Sequence, residues 1–271
     1  MKLSLDFNGS SVWINTENPL EISIPLEFHG AQPRSFGVPA AVAEALDAGG
    51  FVGDTRRGGS CNVECVTFIS HCNGTHTECA GHITDERLFI VDALRNSFST
   101  ARLVSVAPVP AAGSMEHASV AFEQGDLLIT RAALSKALEG VSGNHSALII
   151  RTLPNNASKK SRDYSKEAPA FLSLEAAQFV AEKGFQHLLL DVPSLDRAHD
   201  EGKLSAHRIF WGMKEGEKKL PSREVLSKTI TEFVFVPDAI RDGSYLLLIE
   251  IAPFVSDAAP SRVRLFELHQ S

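Results

Sequence analysis

No apolar run in this chain approaches the roughly 20 residues that a membrane-spanning helix needs. The longest, such as residues 245–249, have strand length and are bounded by charges. Clustered positive charge is also scarce. Against 33 Asp and Glu stand 26 Lys and Arg, for a formal net charge of −7, and the densest basic knot is Lys159-Lys160-Ser161-Arg162. Phosphate recognition needs grouped Lys and Arg, so nucleic acid is excluded as a main partner, and no membrane partner is expected. The opening Met1-Lys2-Leu3-Ser4-Leu5-Asp6-Phe7-Asn8 lacks the apolar stretch of a signal peptide, so the cytoplasm is the expected compartment. Ser194 lies in no G-x-S-x-G elbow, which argues against serine-hydrolase chemistry. No glycine-rich phosphate loop follows a strand pattern, which leaves nucleotide binding without support.

Cysteine is missing from most of the chain. All four (Cys61, Cys65, Cys72 and Cys79) fall in one short stretch. A disulfide framework would spread them over the fold, so this crowding implies buried thiols or metal ligation. What remains is ordinary for a globular protein: 271 residues, 44% hydrophobic and 22% charged. That length buries a large core. No composition shift marks a boundary, and residues 1–271 read as a single domain.

Periodicity predicts many strands and few helices. Leu3, Leu5 and Phe7 alternate, followed by extended patterns at 11–14 and 20–26. Residues 38–48 are Ala-rich and predict a helix stopped by Gly49-Gly50. Strands are expected at 62–70, 101–106, 147–152, 187–192, 229–236, 245–251 and 263–268, and a helix at 130–139. A second helix, 173–183, has Ser173 as N-cap and Gly184 as its stop. From Leu148 to Asp191 the order strand–helix–strand fits a parallel crossover unit. Two polar stretches, 155–167 and 214–223, are long for compact loops and read as lids or insertions. The expected fold class is therefore α/β and β-rich, a single domain with few flanking helices.

The densest chemistry lies between His71 and His82, which holds three histidines, two cysteines and a glutamate. If the backbone is extended here, Cys72, His76 and Glu78 share a face, with Gly74 leaving room close to the backbone. Thiolate, imidazole and carboxylate all ligate Zn²⁺ and related ions. The alternative is a His-rich surface loop with no metal, since the spacing matches neither H-E-x-x-H nor a zinc ribbon. His82 lies further along, where an imidazole can serve as an acid or base near neutral pH.

The run Gly74-Thr75-His76-x-Glu78-x-x-x-His82 resembles the H-x-G-T-H-x-D-x-P-x-H motif of the cyclase family, which includes kynurenine formamidases and isatin hydrolases. The resemblance continues in order. Ala147-Leu148-Ile149-Ile150-Arg151-Thr152 is similar to a strand ending in R-T-G. Tyr164, Pro169 and the Ser173 helix resemble Y…P-x-L-S-x-E-A-A, and Leu190-Asp191-Val192-Pro193-Ser194-Leu195-Asp196 resembles G-x-D-T-P-S-x-D. Ala206-His207-Arg208, Ile230-Thr231-Glu232-Phe233 and Pro260-Ser261-Arg262-Val263-Arg264 resemble the A-H-x-x-L-L, I-x-E-N-L and S-P-V-R-A segments.

The resemblance implies a swivelling β/β/α-like fold with a mixed sheet or barrel-like β core, and a metal-dependent hydrolase of non-peptide C–N bonds, such as an N-formyl aryl amide or a cyclic imide or lactam. It implies Cys72, His76, Glu78, His207 and Glu232 as metal ligands and His82 as the catalytic histidine. One or two divalent ions are expected, zinc first and manganese as the alternative, with a small amide or imide substrate and a homodimer or larger homo-oligomer. A lactone hydrolase or cyclase, or a catalytically silent binding protein, are the rival readings. The chain departs from the family pattern at several points. Cys72 stands for the first motif histidine, Glu78 for Asp, Ala80 for Pro and Leu153 for Gly, and the stretch from His207 to Glu232 is longer. A thiol at position 72 disfavours harder ions such as Mn²⁺. A backbone bulge would exchange faces and bring His71 inward instead.

Outside this set, Asp191 and Asp196 are candidates to orient ligand histidines or to cap a turn. Arg151 is expected in a structural ion pair. Trp13, Phe28, Phe36 and Trp211 read as packing residues or pocket walls. His29, His117, His145, His187, His199 and His269 carry no pattern.

Overall fold

The computed structural model describes residues 1–270. The chain opens with a hairpin, β1 (Lys2–Phe7) and β2 (Ser10–Asn15), and a short strand, β3 (Leu20–Glu21). Seven more strands form one sheet that closes on itself: β4 (His76–Cys79), β5 (Phe98–Val106), β6 (Ala147–Thr152), β7 (His187–Leu190), β8 (Thr229–Glu232), β9 (Gly243–Ile251) and β10 (Ala258–Glu267). Their spatial order is β9-β5-β6-β7-β8-β4-β10. Pairing of β9 with β10 closes the ring, and β3 extends it from β10. Strands β5 to β8 run parallel, and the remaining pairings are antiparallel. This is the β-rich core that the periodicity predicts, closed in the mixed, barrel-like way that the resemblance implies.

The sheet is apolar on both faces, as parallel strands covered on both sides require. Along β6 and β7 the side chains alternate between two clusters. Ala147, Ile149 and Leu189 join Leu103, Leu247, Ile249, Val263 and Leu265 on the inner side. Leu148, Ile150, Leu188 and Leu190 pack outward against helix residues Leu134, Ala176, Val180 and Phe210. Each fully buried Leu or Ile contributes roughly 1.5–3 kcal/mol relative to exposure.

The helices are few and short: α1 (Ile90–Ala93), α2 (Arg131–Ala137), α3 (Leu174–Glu182) and α4 (Ser205–Phe210). Helix α3 links the parallel strands β6 and β7, as expected. Its N-terminus is capped by the Ser173 hydroxyl, which accepts the Ala176 N–H at 2.9 Å. No helix among the described residues is long and apolar enough to cross a membrane.

One element differs from expectation. Residues 38–48 form no helix; Val42–Ala45 is a strand paired antiparallel with Glu64–Thr67. Alanine supplies helix propensity but no apolar stripe here, and cross-strand pairing overrides a weak local preference. Nor does either polar stretch hang free. Lys159, buried within 155–167, donates to the Thr152 carbonyl at 2.7 Å and to Asp191 Oδ2 at 2.8 Å. The second stretch is held by Arg208, whose Nη1 donates to the Glu217 carbonyl at 2.7 Å.

Candidate metal centre

The site lies on the outer face of the closed sheet, where β4 runs between β8 and β10. His76 stands opposite Glu232 and Pro260, and Glu78 opposite Ile230 and Ala258. Strand alternation turns His76 and Glu78 to one face, while Cys79 joins the inner apolar cluster. Gly74, at φ 79°, takes the left-handed turn that leads into β4. Phe233, directly after Glu232, holds φ 55°, and its carbonyl accepts the Thr75 hydroxyl at 2.6 Å. Such a conformation costs an aromatic residue on the order of 1–3 kcal/mol and persists only where the surroundings fix it.

These elements bring together residues far apart in sequence. Glu78 is the hub. Its Oε2 lies 2.8 Å from His71 Nδ1 and its Oε1 3.2 Å from His207 Nε2. Glu232 lies 3.3 Å from His76 Nε2 through one carboxylate oxygen and 3.6 Å from His207 Nε2 through the other. His76 Nδ1 faces the Gly74 carbonyl at 3.1 Å, which leaves Nε2 for the cluster. His207 Nδ1 sits 2.6 Å from Asp196 Oδ2, and Asp196 also accepts the backbone N–H groups of Ala206 and His207.

Two ligand groups result, His71–His76–Glu78 and Glu78–His207–Glu232, and each gathers its ligand atoms within 4.8 Å. A third group of that compactness is His71–His82–Asp257. Three carboxylates therefore meet four imidazoles in a largely buried space, with Asp196 behind His207.

The donors fit a cation. His71 Nδ1, His76 Nε2 and Glu78 Oε1 are buried and make no hydrogen bond, although His71 Nδ1 and Glu78 are close in distance. A buried polar atom without a partner costs about 1–3 kcal/mol, so three converging on one space point to a ligand that satisfies them together. Charge agrees. Burial opposes a positive His71, but Asp257 and Glu78 outweigh it and raise its pKa to about 10. Burial likewise opposes a positive His207, and Asp196, Glu232 and Glu78 lift its pKa well above the usual range. Burial alone would raise the Glu78 pKa, yet the charge of His82 and the close His207 and His71 nitrogens hold it well below the ordinary carboxylate value. The carboxylates thus demand compensating positive charge, which a divalent cation supplies while releasing protons from the imidazoles.

The structure brings His76, Glu78, His207 and Glu232 into one cluster, with the His82 ring 5.8 Å from that of His207. Cys72 belongs to none of the three groups. Its thiol is buried, and burial followed by the Glu232 charge pushes its pKa up to about 11. The nitrogen that joins His76 and Glu78 comes from His71. Asp196 contacts His207, whereas Asp191 is engaged by Lys159 and Thr152. Arg151 pairs with Asp242 at 2.8 Å. Trp211 is fully buried with its ring 5.6 Å from that of His207, and Trp13 stacks on His269 at the periphery. Asp257 had no sequence signal of its own. Only its place one residue before Ala258, the register partner of Glu78, puts it here.

A closed mixed sheet carrying a buried histidine–carboxylate cluster on its outer face defines an α/β protein with a candidate divalent-metal centre. The Cyclase family model matches residues 2–197, and the chain belongs to that family. It is 25% identical to a kynurenine formamidase of Bacillus cytotoxicus over 255 residues, covering 93% of this chain and 96% of that one. A kynurenine formamidase of Bacillus thuringiensis is 27% identical over 257 residues, with 94% and 96% covered. Among solved structures, isatin hydrolase A from Labrenzia aggregata superposes with a TM-score of 0.61 at 13% identity, covering 92% of this chain and 93% of that one.

Proposed function

We propose that this protein is a metal-dependent amide hydrolase that cleaves a non-peptide C–N bond, with an N-formyl aryl amide as the substrate class and a cyclic imide or lactam as the close alternative. One observation carries the reading. A buried carboxylate, Glu78, is shared by two compact ligand groups, with an imidazole, His82, beside them. The full-length likeness to kynurenine formamidases supports the substrate class. His71, His76 and Glu78 would hold one ion and Glu78, His207 and Glu232 a second, zinc being the metal that suits mixed imidazole and carboxylate donors. A divalent ion there supplies Lewis acidity, lowering the pKa of a water and polarising the amide carbonyl.

The chain's own residues do the rest. Asp196 fixes the His207 ring with Nε2 toward Glu78 and Glu232. His82 gives a proton to the leaving nitrogen, without which an amide nitrogen departs poorly. Trp211, Phe210 and Ile230 belong to the apolar layer that keeps bulk water from this face.

The protein is read as cytoplasmic, which its four free cysteines support. It is also read as a homodimer or larger homo-oligomer. Exposed Val42, Val63, Val66 and Ile69, on and beside the 42–67 hairpin, support self-association. The test is protein purified without chelator or His-tag, assayed for metal content and for hydrolysis of N-formyl aryl amides, imides and lactones. Stoichiometric metal with formamide hydrolysis is expected. An intact fold with neither metal nor turnover defeats the proposal. Light scattering that gives a 29.3 kDa particle at micromolar concentration refutes the oligomer.

A further inference from the structure

We propose that Asp257 is a positioning residue for His82, setting which of its ring nitrogens is free to exchange a proton. The inference rests on the hydrolase reading for its kinetic part only.

The arrangement is built around one oxygen. Asp257 Oδ2 lies 2.8 Å from His71 Nε2 and 3.4 Å from His82 Nδ1. The two rings stack, with centroids 4.2 Å apart and planes inclined by 29°. Stacking fixes the plane of the His82 ring, and the carboxylate faces its Nδ1 edge. At 3.4 Å the second contact is longer than the 2.7–3.2 Å of a settled N–H···O bond, as is common for groups that tighten only on substrate binding.

A carboxylate facing Nδ1 favours the tautomer that carries its proton there, and it stabilises the ring when it becomes cationic. Nε2 is then the nitrogen left for the substrate. The proton balance is simple: Nε2 takes a proton from the attacking water, the cationic ring gives it to the departing nitrogen as the C–N bond breaks, and the neutral ring keeps Nδ1–H toward Asp257.

Asp257 reaches this position by strand register. It directly precedes β10, whose first residue, Ala258, pairs with Glu78. Its backbone carbonyl accepts the Cys79 N–H at 2.9 Å, which ties its main chain to the end of β4 and so to the turn that carries His82. The side chain is about one-third exposed, so it faces the accessible side of the cluster. Neither ligand group that shares Glu78 includes it.

Three variants test the assignment: Asp257→Ala, Asp257→Asn and Asp257→Glu, each checked for fold by circular dichroism. The first readout needs neither metal nor activity. In ¹⁵N-labelled, metal-free protein, the His82 ring resonances of the parent should show the Nδ1–H form dominating, and Asp257→Ala should shift the ring toward a mixture. Unchanged ring populations overturn the proposal, whatever the enzyme's substrate proves to be.

The second readout is kinetic. Asp257→Ala should lower kcat on the best formamide about 10- to 100-fold, the usual loss when the partner of a working histidine is removed. Because Asp257 also meets His71 at 2.8 Å, both substrates are assayed at saturating metal, where turnover of an activated ester, whose leaving group needs no proton, should be nearly unchanged. Asp257→Glu should restore part of the loss and Asp257→Asn less. Equal losses on ester and amide at saturating metal overturn the proposal by showing that Asp257 acts through His71 instead. If the parent hydrolyses no amide, the hydrolase reading fails, and the resonance measurement alone decides the positioning role.

Discussion

His207 Nδ1 lies 2.6 Å from Asp196 Oδ2, and the same carboxylate accepts the backbone N–H groups of Ala206 and His207. Asp196 therefore holds both the ring of His207 and the helix start that carries it. Burial opposes its charge, but His207 and the two backbone N–H groups win and lower its pKa. Asp196→Asn keeps the size and loses the charge. Metal affinity in that variant should fall about 10- to 100-fold, as found when a histidine ligand loses its outer partner. Competition against a chelator of known affinity measures it, and parental affinity would show that Asp196 only caps the turn.

Position 71 should matter more than position 72 for metal binding. His71 Nδ1 is a buried, unsatisfied nitrogen beside Glu78, whereas the Cys72 thiol lies outside every compact ligand group and holds its proton up to about pH 11. Elemental analysis should find metal reduced in His71→Ala and retained in Cys72→Ser. The opposite pattern would transfer the ligand role to the thiol.

His82→Ala should keep its fold and metal while losing about 10²- to 10⁴-fold in kcat on an amide, the usual contribution of a general acid. The loss should shrink for activated esters. Parental kcat on the amide would exclude His82 as the acid, and loss of metal would make it a ligand.

Stability should fall in mild acid for a reason unrelated to the metal. His187 is buried with Nδ1 2.8 Å from the Thr229 hydroxyl, and burial depresses its pKa to about 4 from an ordinary 6.5. Above pH 6.5 the ring is neutral in both folded and unfolded chains, and the contribution is complete. Between 6.5 and 4 the unfolded chain binds the proton first, so stability declines as pH falls and is lost in full below about 4. The difference amounts to at most about 3 kcal/mol. Urea unfolding of His187→Gln and the parent at pH 7.5 and 4.5 isolates it. The gap between them should narrow in acid, and a constant gap would mean that the ring protonates freely in the fold.

Much of the fold was legible because period is a local property. The apolar run Ala147–Thr152 reads as a strand buried on both faces, and it is one. The Ser173 cap and Gly184 stop bracket α3. Residues 38–48 misled because alanine has helix propensity, whereas their strand state depends on a partner, Glu64–Thr67, that propensity does not register.

At the site, the sequence by itself determined the chemistry available: His76 and Glu78 two residues apart on one strand, His82 shortly after, and His207 and Glu232 in segments with their own recognisable surroundings. Tertiary structure decided which atoms meet. Alternation fixes faces only inside a strand, and β4 begins at His76, so positions 71 and 72 fall beyond its reach. The turn at Gly74 sets their orientation, and it sends the His71 nitrogen to Glu78. Asp257, 186 residues from His71, reaches the same ring only because β10 pairs with β4 in the register that places Ala258 against Glu78. Register is fixed by the burial of whole strand faces, a property of the assembled sheet that no local segment carries.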